Sequence, residues 1–101
     1  MRMLVDVTIP HEPFNTLVRE KKAGGILQRI LEEVKPEAVY FTERNGMRGA
    51  TLIVDIAEPS RIPSVSEPFF LSFNADVQFH AVMSPQELGK AGRDALAAKW
   101  A

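Results

Sequence analysis

The chain has 101 residues, with 12 Lys or Arg against 13 Asp or Glu and a net charge of −1. That balance argues against a general nucleic-acid binder, which needs clustered cations to displace counterions from phosphates. The absence of cysteine excludes disulfides, thiolate catalysis and cysteine-ligated zinc, and the composition fits one globular domain over residues 1–101.

The opening MRMLVDVTIP lacks the apolar core of a secretory signal, and no run approaches the roughly 18 apolar residues of a membrane span. A cytoplasmic protein with no membrane partner is the expectation.

Residues 2–9, RMLVDVTI, alternate. Met3, Val5, Val7 and Ile9 point one way, and Leu4, Asp6 and Thr8 the other, as in a half-buried strand. Two prolines in PHEPFN end it. A helical pattern follows from Pro13 to Val34, carried by Leu17, Leu27, Ile30, Leu31 and Val34. Gly24-Gly25 costs about 2 kcal/mol of helix propensity relative to alanine, so a break is expected there. Pro36 ends the helix through its effect on Lys35.

EAVYFTE, 37–43, reads as a second strand and GATLIVDIA, 49–57, as a third. Asn45-Gly46 between them is the strongest short hairpin signal. Residues 58–74 form a second helix with Ser60 at its N-cap, striped by Ile62, Val65, Phe69, Phe70 and Phe73 and bent or broken at Pro68. ADVQFHAVM, 75–83, is a fourth strand. Ser84, Pro85 and Glu87 make a capping box with an early proline, which predicts a third helix to about Trp100.

The order is βαββαβ plus a C-terminal helix. Right-handed crossovers fold such a chain into a ferredoxin-like α+β domain: a four-stranded antiparallel sheet of order 4-1-3-2 with two helices on one face. The other face then carries Leu4, Asp6, Thr8, Tyr40, Thr42, Thr51, Ile53, Asp55, Asp76, Gln78 and His80. Leu4, Ile53 and Tyr40 are out of place on a fully solvated face, and three aspartates are out of place in a dry interface. A polar chamber with apolar walls, made by two sheets facing each other, reconciles the two.

The succession TLIVDIAEPSRIPSVSEPFFLSFNADVQFHAV, 51–82, resembles the second half of the dimeric α+β barrel superfamily, closest to its small muconolactone-isomerase-like members. The resemblance implies a homodimer or larger homo-oligomer with a cavity inside each barrel. The superfamily hosts cofactor-independent monooxygenases, isomerases, haem-degrading proteins and members without known activity, so fold chooses no reaction. Muconolactone isomerases carry a first-strand histidine where this chain has LVDV at 4–7, and no catalytic residue transfers.

His80 is the first candidate for chemistry. The fourth strand runs beside the first, which brings His80 or Gln78 near Asp6. A carboxylate beside an imidazole fixes its tautomer and raises its basicity. The competing reading is a structural histidine in a polar cavity. Asp6 interrupts an apolar strand; Asp55 serves either the face or the following turn. Tyr40 would offer a hydroxyl inside a barrel or pack across strands. Arg48, with Arg44 at the other side of the hairpin tip, would hold an anionic group or only solubilise the turn. His11 lies in the loop after the first strand.

No ligand spacing among these residues marks a metal site. KKAGG at 21–25 lacks the order of a phosphate loop, so no cofactor is expected. The central strands offer no stacking aromatics for RNA. Two readings follow: a small enzyme in which His80 and Asp6 move a proton while Tyr40, Arg48, Asp55 and Gln78 line the site, or a non-catalytic dimeric ligand-binding or assembly module.

Overall fold

The computed structural model describes all 101 residues. Strand β1 (Arg2–Ile9) leads to α1 (His11–Arg19) and α2 (Ala23–Val34). The hairpin β2 (Ala38–Arg44) and β3 (Met47–Asp55) follows. A 3-10 turn at Pro59–Arg61 enters α3 (Ile62–Phe73). Strand β4 (Asp76–Ala81) completes the sheet, and α4 (Pro85–Gly89) and α5 (Arg93–Trp100) trail from it. The sheet is antiparallel throughout with order β2-β3-β1-β4, the ferredoxin-like α+β arrangement.

The alternation in the strands builds the core directly. Val5, Val7, Leu52 and Val54 are buried on one side of the sheet, and Phe69 and Phe73 from α3 pack onto them. Phe14 of α1 meets Phe73 with ring centroids 4.9 Å apart and planes tilted by 60°. Asn45 (φ 53°) and Gly46 (φ 78°) both take the left-handed region, as the tight hairpin turn requires.

The first helical segment breaks before the glycines. The chain leaves α1 at Lys21 (φ 61°), where the Lys22 N–H donates to Leu17 O at 2.8 Å and the Lys21 N–H to Val18 O at 3.0 Å. That pair of bonds is a Schellman end. Gly24 and Gly25 fall in the first turn of α2, behind the buried Ala23. There the backbone N–H groups lack helical partners in any case, so glycine does less harm than in a helix interior.

In the second helical segment Ser60 caps no backbone N–H. Its hydroxyl donates to Glu58 Oε1 at 3.0 Å. Helix α3 runs unbroken through Pro68, because Val65, Phe69 and Phe73 on either side are anchored in the core.

The third helix is two. Ser84 and Glu87 form the expected capping box, but Gly92 (φ 68°) separates α4 from α5. Residues 89–101 are exposed throughout and do not pack on the chain's own helix layer. The radius of gyration is 17.2 Å and the long dimension 60 Å. A compact chain of this length has a radius of gyration of about 13 Å.

Candidate functional site: the open face of the sheet

Register orders the open face into rows across all four strands. The central row is Tyr40, Thr51, Asp6 and Gln78. The row below is Ala38, Ile53, Leu4 and His80; the row above is Thr42, Gly49, Thr8 and Asp76. The face therefore has an apolar patch, Ala38–Ile53–Leu4, beside a polar one centred on Asp6.

Asp6 is claimed by an arginine. Arg44 Nη2 donates to Asp6 Oδ1 and, at 2.7 Å, to Thr51 Oγ1; the Thr51 hydroxyl in turn donates to Asp6 Oδ1 at 3.2 Å. Arg44 stands at the end of β2 and reaches Asp6 by lying across the sheet. Gly49 makes the path. A Cβ at position 49 would sit 3.2 Å from Arg44 Cγ and 3.2 Å from the Val7 carbonyl oxygen. Arg44 Nε is buried without a partner, so the clamp leaves one donor unsatisfied. Such a donor costs about 1–3 kcal/mol, which the bonds to Asp6 and Thr51 offset.

His80 lies diagonally from Asp6. Asp6 is opposite Gln78 and His80 opposite Leu4. Diagonal neighbours stand about 7–8 Å apart, within reach of long side chains, yet the hydrogen bonds of Asp6 go to Arg44 and Thr51 and none goes to His80. His80 is exposed, and Asp6 already serves Arg44 and Thr51. Tyr40 is 73% exposed on the edge strand. Gln78 is exposed beside Asp6. Asp55 lies at the margin, where its Oδ1 accepts from the Met1 amino group at 3.1 Å.

Arg48 is not on this face. It lies over the Phe14 ring at 4.6 Å and donates from Nη1 to Asn15 Oδ1 at 2.7 Å. Even-numbered positions of β3 point to the helices, and Arg48 follows Ala50 and Leu52 there, tying α1 to the sheet. Its expected place beside Tyr40 and Asp6 is thus corrected by the pleat. The arginine that does reach the open face is Arg44. The sequence signal for it was its alternation with Tyr40 and Thr42, with a glycine in the neighbouring strand to clear its way.

No three His, Asp or Glu side chains converge as metal ligands. No helix is long and apolar enough to cross a membrane. The three cavities of the chain are lined from the helix layer and the sheet margin, so the open face forms no enclosed chamber by itself. No protein-family model matches the chain, and a comparison with curated proteins finds no match.

Proposed function

We propose that two copies of this chain pair through their open faces, as in a dimeric α+β barrel, and hold a compact organic molecule in the chamber between the sheets. The observation that carries this reading is the Arg44–Asp6–Thr51 clamp. A solvated face has no need to neutralise its central carboxylate, since exposed ion pairs contribute little. A face that is to lose water does need it, because an unpaired charge is costly to bury. The charge at the centre of this sheet is already paired, while Leu4 and Ile53 next to it are half-buried.

Tyr40 and Gln78 at the two ends of the central row, and His80 in the next, are the polar groups left free to meet a ligand. Binding without catalysis is favoured over proton transfer by the Asp6–His80 pair, because Asp6 is committed to Arg44. An isomerase- or monooxygenase-like reaction in this chamber would rest on His80 as its proton carrier.

Native mass spectrometry and light scattering on the purified chain and Ile53→Asp test the proposal. The parent is expected to be at least dimeric and to retain a small organic molecule, and Ile53→Asp to form a smaller assembly than the parent and to hold no such molecule. A parent that stays monomeric at micromolar concentration and holds nothing would overturn it. Turnover lost in His80→Ala with binding retained would establish the catalytic reading.

A further inference from the structure

The largest cavity lies on the side of the molecule away from the open face. It is a groove of about 420 Å³ between α2 and α3, with Leu17, Ile26, Ile30, Pro68 and Leu71 as its apolar walls. Arg29 and Glu33 line it from α2. Glu67 stands one turn before Leu71 on α3 and is exposed. Leu71 is 82% exposed at the lip, the most exposed of the chain's large apolar side chains.

The same chain carries a segment that fits this groove. Helix α5 has eight residues, and helices below about 12–15 residues are marginal in water without a surface to pack on. Leu96 and Trp100 lie one turn apart on one face, the spacing of anchors in helix-in-groove recognition. At 3.6 residues per turn, Arg93 and Lys99 flank that stripe within about 60° on either side. Asp94 falls on the opposite face. An apolar stripe edged by cations thus meets an apolar groove that Glu33 lines, with Glu67 just outside it, one turn before the Leu71 lip. Arg29 is the one cation in the groove and stands a turn from Glu33.

We infer that α5 of one chain docks in the α2–α3 groove of a second copy of this chain. Leu96 and Trp100 cover the apolar floor, and Arg93 and Lys99 meet Glu33 and Glu67. A second copy is the occupant because arm and groove are complementary yet unfilled within one chain, whose arm is held outward over a 60 Å length. The contact uses a surface separate from the open sheet face, so it stands or falls apart from the ligand chamber. Given reciprocally it closes a two-fold dimer; otherwise it links dimers into larger assemblies.

Trp100 is the only tryptophan, so its fluorescence reports the arm alone. Emission from the full-length chain at micromolar concentration is expected at shorter wavelength than emission from Leu71→Asp, whose groove is spoiled at an exposed position. Mixing Leu71→Asp with Trp100→Ser supplies a tryptophan arm from one chain and an intact groove from the other. Restoration of the short-wavelength emission in the mixture is expected. Equal emission from the parent and Leu71→Asp would overturn the inference, as would a mixture with no restoration, the result expected if the arm fills its own groove or another protein's. A charge reversal gives an independent check: Glu33→Lys should shift emission to longer wavelength, and mixing with Trp100→Ser should reverse the shift. If both groove variants emit as the parent does, the groove is not the seat of the arm.

Discussion

Arg44 and Asp6 are separated by 38 positions in the chain and by two strand boundaries, yet their side chains meet over the centre of the open face. The intervening strand β3 contributes Thr51 to the same cluster and no side chain at all at Gly49. Removing Arg44 leaves a half-buried carboxylate with only the Thr51 hydroxyl. Arg44→Met is expected to destabilise the chain by about 1–2 kcal/mol, the upper range for a charged hydrogen bond reduced by partial exposure and by relief of the orphan Nε. Asp6→Asn combined with Arg44→Met should cost less than the two singles added. Urea unfolding of the four proteins in that cycle measures the coupling.

Gly49→Ala tests the path of the arginine. Alanine usually stabilises relative to glycine where the backbone permits it. Here its Cβ meets both the Arg44 stem and the fixed Val7 carbonyl at 3.2 Å. A loss of about 1 kcal/mol is expected, at the low end for inserting a methyl into a packed site. In an Arg44→Ala background the loss should shrink without vanishing, because the carbonyl contact remains. Thermal unfolding of the singles and the double distinguishes the two contributions.

The helix layer depends on Phe73, which is fully buried and meets both the sheet and Phe14. Phe73→Ala should cost about 3–5 kcal/mol. A chain of this size has on the order of 5–15 kcal/mol of stability in all, so the variant should be close to unfolding at room temperature. Phe70→Ala, three residues earlier on α3 and 40% exposed, should cost far less. Denaturant midpoints of the two variants check the contrast.

The cap of α4 carries a pH dependence. The Ser84 backbone N–H donates to Glu87 Oε1 at 3.0 Å, and the Glu87 N–H donates to the Ser84 hydroxyl at 3.1 Å. The bond from the Ser84 backbone is the main cause holding the Glu87 carboxyl below its ordinary value. A lowered carboxyl contributes stability above its unfolded value and loses it as pH falls through the folded one. The protection of the Ser84 amide, its exchange taken relative to the intrinsic rate at each pH, should therefore fall in acid below the usual carboxylate range. Glu87→Gln, which keeps an acceptor without a titrating group, should abolish that loss of protection.

The sheet was legible because its information is local. RMLVDVTI alternates without a slip, so the side of Asp6 followed from counting, and Asn45-Gly46 fixed the turn between β2 and β3. The clamp on Asp6 was less legible. It depends on a side chain crossing a strand, and on the emptiness of Gly49, which alternation records only as a missing residue. Nearness to the hairpin tip suggests Arg48 for an anionic group, although the pleat that places Ala50 and Leu52 toward the helices also turns Arg48 there. The helix ends were least legible. Gly24-Gly25 signals a break that Lys21 makes, and the capping box at Ser84 predicts one helix to about Trp100 where Gly92 divides it in two.

The outstretched arm also changes how the chain moves through solvent. A body of 60 × 28 × 19 Å meets more friction than a sphere of the same mass. On a gel-filtration column a single chain would elute ahead of its 11.3 kDa, in the direction of a compact dimer. If docking the arm on a second copy folds that projection away, the pair would gain mass while losing drag for its size. Elution volume would then change little on association, and the sedimentation coefficient, which rises with mass and falls with drag, would register the event sharply.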